Sequence, residues 1–243
     1  MKAAICTKYG DPQVIQLQEI NKPYPKKNQI LVKVKASTLN SGDITIRGLK
    51  ASGLKRLTLR CIFGFFKPRK PILGTVFSGE VEKIGLDVKK FKVGDEVFGL
   101  TGFKFGAHAE NLIISEEKLV SKKPVNATHN EAASILFGDQ TAIYFLQKTK
   151  IQEKQNCKVL IIGGAGSVGS AAIQIAKYYK GIITIVCHSN DEHLIKQFKI
   201  NAIIFYDKEN FRKKNLSFDI VFDASGKFTK NQCLSLLKGK GVL

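Results

Sequence analysis

A chain of 243 residues, 44% of them hydrophobic and 24% charged, has material for two ordinary domains with cores of their own, and this is not the composition of a disordered or fibrous protein. Five scattered cysteines, an odd number with no Cys-x-x-Cys among them, argue against a disulfide framework or a zinc knuckle and fit a reducing, cytoplasmic compartment. The net charge of +19 would suit a nucleic-acid or anionic-membrane partner, but the lysines are spread along the whole chain; a lysine-rich solvated surface accounts for them, and neither partner is expected.

No apolar run reaches the length of a membrane span, and Met1-Lys2-Ala3-Ala4-Ile5 reads as a strand, not a signal peptide. Strands over 2–7 and 14–19 are predicted to pair as a hairpin around Gly10-Asp11-Pro12. Pro23-Tyr24-Pro25 is a stiff connector. Over 29–38 the pattern alternates, with Ile30, Val32 and Val34 on one face and Lys33 and Lys35 on the other. Asn40-Ser41-Gly42-Asp43 ends that strand and starts a short helix. Residues 47–70 then carry Arg47, Lys50, Lys55, Arg56, Arg60, Lys67, Arg69 and Lys70 with no acid, interleaved with Leu54, Leu57, Leu59, Ile62, Phe63, Phe65 and Phe66. A basic amphipathic helix on a membrane surface has this pattern; the reading preferred is a basic lid that packs its apolar face on its own domain. Strands follow over 76–84, 95–100 and 107–114, and Pro124 marks a domain boundary, giving a β-rich domain over 1–125 and a second domain over 126–243.

The second domain opens with helices predicted over 130–137 and 141–147, interrupted at Gly138-Asp139. From Lys158 strands (158–162, 182–187, 202–206, 218–223) alternate with helices (167–179, 191–198, 228–237), which implies a parallel sheet covered on both faces. Residues 239–243 read as a turn into a fifth strand. A doubly wound sheet of this kind has six strands, so the sheet reads as incomplete. Its first strand runs into Gly163-Gly164-Ala165-Gly166-Ser167-Val168-Gly169, and a helical pattern follows at once. Gly164, Gly166 and Gly169 match G-x-G-x-x-G in the strand–loop–helix context that gives the motif its meaning. One glycine permits the tight turn, one lets the backbone approach a pyrophosphate, and one allows close helix–strand packing. The helix that starts there points free N–H groups and its positive dipole end at the ligand.

The chain resembles the zinc-independent quinone oxidoreductases, the zeta-crystallin-like branch of the medium-chain dehydrogenase/reductases. The segments that carry the resemblance are Met1-Lys2-Ala3-Ala4, Leu39-Asn40-Ser41-Gly42-Asp43, Pro71-Ile72-Leu73-Gly74-Thr75, Phe77-Ser78-Gly79-Glu80-Val81, Val93-Gly94-Asp95-Glu96-Val97-Phe98-Gly99 and the glycine loop. It implies an α/β protein with a GroES-like barrel followed by a Rossmann doubly wound parallel sheet, C-terminally truncated relative to the family, and a cleft between the two domains. Zinc-dependent relatives carry cysteine and histidine near Asn40 and a histidine near Thr75; here those ligands and the four-cysteine lobe are missing, so no zinc is expected. Without a Lewis acid, oxidising an alcohol is hard. Reducing a quinone or an α,β-unsaturated carbonyl needs a positioned hydride donor and a hydrogen-bond donor for the oxygen that gains charge.

Phosphate contacts are expected from the backbone of Gly163, Gly164, Ala165, Gly166, Ser167, Val168 and Gly169. The second strand ends in Cys187-His188-Ser189-Asn190, without the acid that holds the ribose of NAD. That favours NADPH over NADH, with His188 and Ser189 donating to the 2′-phosphate; Asp191 is the competing NADH reading. By resemblance, Tyr206 lies beside the adenosine, with packing at the core edge as its structural alternative. Thr141 lies on the nicotinamide side or caps a helix. Ser225 sits at the carboxyl edge of the fourth strand, and Asn40 either faces nicotinamide and substrate or closes its strand as an Asx turn. No Ser-His-Asp set, paired carboxylates or reactive cysteine stands out. The leading function is NADPH-dependent reduction of a small-molecule quinone or enone, in a homodimer if the chain is complete. The alternatives are a truncated, NADPH-binding but non-catalytic relative, and a basic RNA- or membrane-associated protein with a vestigial Rossmann unit.

Overall fold

A computed structural model describes residues 1–49, 52–211 and 216–243; Lys50 of the basic segment lies outside the described residues. The chain divides into two compact units, Met1–Leu136 and Phe137–Leu243.

In the first unit β1 (Lys2–Cys6) and β2 (Ile15–Glu19) pair antiparallel, with a 3₁₀ turn at Pro12–Val14 between them. Five further strands, β3 (Gln29–Ser37), β4 (Val76–Ile84), β5 (Glu96–Leu100), β6 (Asn111–Ser115) and β7 (Val120–Lys122), form an antiparallel sheet in the order β6-β3-β4-β5-β7. Ile30 and Val32 turn into a core with Phe77, Val81, Val97, Leu112 and Ile114, while Lys33 and Lys35 stay exposed, as period-two alternation requires. Strand β6 starts later than the alternation implied: Ala109, expected inside it, makes a single bridge to Ala3 instead.

After β3 the chain enters α1 (Ser41–Gly48) and α2 (Gly53–Phe63). The expectation that 47–70 packs its apolar face on its own domain is overturned. Phe63 joins a small core with Cys6, Val14, Ile46, Leu73 and Phe105, but Leu54 is 78% exposed and Phe66 88%, and Leu57, Ile62 and Phe65 are exposed too. Phe63 is the α2 residue packed against that core, and Leu59 is half-buried.

Across the unit boundary runs α3 (His129–Lys148), a single helix where two were expected. Gly138 does not break it. A Cβ there would lie 2.4 Å from Ser167 O and 2.5 Å from Ser167 Oγ, so glycine is present because another backbone passes against the helix. Thr141 is therefore mid-helix and caps nothing; its Oγ1 donates back to Phe137 O at 3.0 Å.

The second unit is a parallel sheet of β8 (Lys158–Ile162), β9 (Ile182–Cys187), β10 (Ala202–Phe205), β11 (Phe218–Asp223) and β12 (Leu237–Val242), in the order β10-β9-β8-β11-β12. Its helices are α4 (Ser167–Tyr178), α5 (Glu192–Lys196) and α6 (Lys230–Leu234). Alternation along β8 splits its residues between two cores. Val159 and Ile161 pack with Ala142, Leu146, Ala172 and Ile173; Leu160 and Ile162 pack with Val186, Phe218, Val221 and Leu236 on the other face. Each such side chain contributes about 1.5–3 kcal/mol by leaving water. Leu237 was expected to end a helix but begins β12. The strand order reverses between β8 and β11, the place where open α/β sheets bind ligands beyond the strands' carboxyl ends.

Candidate functional site

At that point β8 ends and the chain turns through Gly163, whose φ of +82° an L side chain rarely adopts. The loop closes with Gly166 N–H donating to Gly163 O at 3.2 Å. The glycines then separate by role. A Cβ on Gly164 would strike Ile185 Cγ2 at 2.5 Å, and one on Gly169 would lie 2.2 Å from Gly163 O, so both are packing positions that let α4 sit against the loop. A Cβ on Gly166 meets only Gly163 O, at 3.6 Å, an ordinary contact. The space over Gly166 is free at the N-terminus of α4, which has neither a side-chain cap nor an acid in its first turn. Unclaimed N–H groups and a positive dipole end beside an empty cradle suit an anion.

The cradle opens into a cavity of about 730 Å³ lined by Gly163, Ala165, Gly166, His188, Tyr206 and Ser225, together with Asp191, Asp207, Lys208, Asn210 and Lys227. That is within the range of sites that enclose a cofactor. His188 Nδ1 accepts the Asn190 N–H at 3.1 Å, which puts the neutral ring's proton on Nε2 as a donor. The ring packs edge-on against Tyr206, centroids 5.6 Å apart. Tyr206 is half exposed.

Ser189 is placed otherwise than its expected role requires. Its N–H and Oγ–H both donate to the Asp207 carboxylate, at 2.8 and 2.6 Å. The bond from the Ser189 hydroxyl holds the Asp207 carboxyl below its ordinary range. The residues that sequence reasoning passed over here are Asp207, which organises the end of β9, and Lys208, whose Nζ sits 5.1 Å from the centroid of the Phe205 ring. Nothing in the local pattern marked them; both follow β10, and only the sheet order brings them beside His188. Burial, together with the carboxylates of Asp191, Asp207 and Glu192, pushes the nearby Cys187 thiol up to about 11, which leaves it an unreactive thiol.

Ser225 is held by a second organiser. Asp223 Oδ1 accepts the N–H groups of Ser225 and Gly226 and the Ser225 hydroxyl, and Oδ2 accepts the Phe228 N–H. Beyond it a cavity of about 660 Å³ is lined by Thr141, Val168, Asp223, Ala224 and Phe228; the last two also line the first cavity. Two spaces therefore meet at the carboxyl end of β11, one holding the 163–166 loop and the other Thr141.

In the first unit Asn40 is the N-cap of α1. Its Oδ1 accepts from Gly42 N and Asp43 N, while Asp43 returns a carboxylate oxygen to Asn40 N, a closed capping box. Asn40 Nδ2 donates to Thr75 Oγ1 at 2.8 Å, so the two positions singled out for their missing zinc ligands are neighbours bonded to each other. No group of three or more His, Cys, Asp or Glu able to hold a metal occurs among the described residues. A Ser-His-acid alignment does form. Ser78 Oγ lies 2.8 Å from His129 Nδ1, and His129 Nε2 lies 3.1 Å from Glu96 Oε1. Ser78 is fully buried and its hydroxyl also donates to Val97 O, so the row is a brace for the start of α3 and not a nucleophile.

Residues 26–125 match the alcohol dehydrogenase GroES-like domain. The mitochondrial NAD(P)H oxidoreductase of Danio rerio is 36% identical over 98% of this chain, and the chain spans 64% of that protein, a little under two thirds of its length. The quinone oxidoreductase of Pseudomonas aeruginosa is 31% identical, with 97% of this chain and 70% of that protein covered. The solved quinone oxidoreductase of Coxiella burnetii superposes with a TM-score of 0.86 at 31% identity, over all of this chain and 74% of the other.

Proposed function

Because the chain belongs to the quinone oxidoreductase branch of the medium-chain dehydrogenase/reductases, we propose that it binds NADPH and reduces quinones or α,β-unsaturated carbonyls without zinc. The observation that carries this reading is the open cradle over Gly166 at the uncapped start of α4. A bound nicotinamide supplies a hydride to an electron-poor carbon. The backbone over 163–169 holds the pyrophosphate, Tyr206 flanks the adenosine, and Thr141 and Ser225 border the nicotinamide half. Asn40 has a second amide N–H beyond its bond to Thr75 and offers it to the acceptor oxygen as charge builds there. An amide and a hydroxyl that satisfy each other are a poor donor set for zinc, and an already electron-poor acceptor does not require one. The five free cysteines fit a reducing compartment, cytoplasmic on this reading; no helix among the described residues is long and apolar enough to cross a membrane.

The test is NADPH consumption with a panel of quinones and enones, with and without a chelator. Chelator-sensitive oxidation of simple alcohols rejects the zinc-free reading, and NADPH binding with no turnover of any acceptor rejects the reductase. Asn40→Ala also removes a helix cap, about 1 kcal/mol of stability. Asn40→Ser restores the cap but neither the amide donor nor its bond to Thr75, so it should melt between Asn40→Ala and the parent and still lose about 10²–10³ in rate. An active Asn40→Ser protein removes Asn40 from the chemistry.

On the choice of cofactor, His188 Nε2–H and the Lys208 ammonium are the donors of this cavity that stand at the ends of β9 and β10, where a 2′-phosphate would lie. Lys208→Ala should weaken NADPH by about 1.5–3 kcal/mol, roughly 10- to 100-fold, and leave NADH unchanged. A second reading, NADH, is favoured by the Asp207 carboxylate, which repels a phosphate and can accept from a ribose hydroxyl. Tighter binding of NADH than NADPH in a calorimetric titration selects it.

A further inference from the structure

The function proposed above leaves α2 unused, and α2 carries several exposed apolar side chains together. Leu54, Leu57, Thr58, Cys61 and Ile62 fall at i, i+3, i+4, i+7 and i+8 and so share one helix face. That face is turned outward: Leu54 is 78% exposed, and Leu57, Cys61 and Ile62 are exposed with it. Phe65 and Phe66 extend the same apolar surface past the helix end, Phe66 at 88% exposure. The other side of the helix is anchored. Phe63 packs into the core beneath, Tyr9 Oη donates to Gly64 O at 2.7 Å, and Arg69 N donates to Phe63 O at 2.7 Å. The helix is therefore held on its inner side while a second apolar side faces water. Single exposed apolar residues are ordinary; a contiguous apolar stripe marks a contact surface.

Charge says which contact. From Ile44 to Gly79 the sequence holds eight lysines and arginines and not one acid. Lys67, Arg69 and Lys70 follow Phe66 at the end of the stripe, whereas Arg56 and Arg60 fall on the side of the helix that carries Phe63. None of these five has a carboxylate partner among the described residues. Unpaired cations beside exposed leucine and phenylalanine complement a layer whose surface is anionic and whose depth is apolar. A protein groove would have to supply acids as well as an apolar floor, whereas an anionic bilayer presents both everywhere.

We propose that α2 and Phe65-Phe66 form a membrane-docking surface, by which the protein adsorbs to anionic lipid with the helix lying in the interface plane. The apolar stripe enters the boundary between headgroups and acyl chains. The long side chains of Lys67, Arg69 and Lys70 reach to lipid phosphates at its end.

The experiment uses the whole chain and vesicles of phosphatidylcholine with or without phosphatidylglycerol. Co-sedimentation should occur with the phosphatidylglycerol vesicles alone and fade as salt screens the surface. Lys67→Gln and Lys70→Gln should each weaken it roughly fivefold. Leu54→Gln with Phe66→Gln should abolish it while leaving the melting temperature and NADPH binding unchanged, because both side chains are solvent-exposed. Cys61 lies within the stripe and the other four cysteines are buried, so a polarity-sensitive thiol dye on the wild-type chain should label that one site and shift to the blue on vesicle binding. Equal adsorption to neutral vesicles overturns the proposal, as does adsorption that survives the Leu54/Phe66 double change. A concentration-dependent dimer that the same double change dissociates, without vesicle binding by the parent, also overturns it and assigns the face to a second copy of the chain.

Discussion

Gly166→Val should melt close to the parent's temperature and bind the dinucleotide far more weakly, while Gly169→Ala, a smaller change three residues on, should cost the second unit about 3 kcal/mol or more. The backbone at Gly166 is extended, φ −78° and ψ 165°, a conformation open to any residue, and a Cβ there touches nothing closer than 3.6 Å. The valine methyl groups would occupy the free space over the start of α4. A helix N-terminus in a favourable setting contributes up to about 2 kcal/mol to an anion, and losing it together with the space should weaken binding by at least roughly 30-fold. At Gly169 the added carbon would meet backbone, Gly163 O at 2.2 Å and Gly164 Cα at 2.8 Å, where no side chain can swing aside. Overpacking usually costs about 1–3 kcal/mol, and a backbone collision belongs at or above the upper end. Calorimetric titration of NADPH and thermal melts separate the two effects. Undiminished affinity in Gly166→Val would mean the pyrophosphate lies elsewhere, and a stable Gly169→Ala would mean α4 does not pack on the loop this closely.

That contrast shows where sequence stops carrying structure. A G-x-G-x-x-G reading treats its glycines as one motif, and neither spacing nor residue type says which faces a ligand and which faces a helix. The parallel sheet was legible because 158–162 and 218–223 are apolar runs of strand length between helical patterns, and burial on both faces leaves such runs without polar interruptions. Gly138 misled because a helix-interior glycine normally reads as a break; the Ser167 backbone that demands it is distant in sequence. Strand β7 went unseen because three residues carry no periodicity. Ser189 was expected at a phosphate because of what is missing from 187–190, but its partner Asp207 arrives from the end of the neighbouring strand, and pairing across a sheet is set by strand order. Of the two readings of Asn40, the local one, a residue that closes its strand, is met by the N-cap of α1, which an Asn three residues before an acid favours. Its bond to Thr75 needed the fold.

Asp43→Ala should destabilise the first unit by about 3–5 kcal/mol, the cost of removing one partner from a buried charged cluster, and that is a large share of a domain's ordinary 5–15 kcal/mol, roughly. Asp43 is only 3% exposed. One carboxylate oxygen accepts from Gly74 N at 2.9 Å and the other from Asn40 N at 3.1 Å. His108 Nε2 lies 3.6 Å away, too far for a good hydrogen bond but close enough for attraction, and its Nδ1 meets Ser37 Oγ at 3.1 Å. The Gly74 peptide cannot move off to find another acceptor. It is held at φ +90° with the His108 ring only 2.7 Å from where a Cβ would stand. Asp43→Asn keeps the shape but aims an NH₂ at one of two N–H donors, so it should recover less than half of the loss. Burial alone would raise the Asp43 carboxyl; the His108 ring and the N–H groups of Asn40 and Gly74 outweigh it and hold the group below its ordinary 3.8. The sign follows from that direction. A carboxyl depressed in the folded state contributes fully above its unfolded value, and the contribution fades as pH falls from about 4 through the lower folded value. Chemical denaturation of parent and Asp43→Ala across acid pH should therefore show a gap that is constant near neutrality and narrows below about pH 4. A gap that widened on acidification, or an Asp43→Ala protein as stable as the parent at neutral pH, would show that this carboxylate does not hold α1 and the Gly74 turn together.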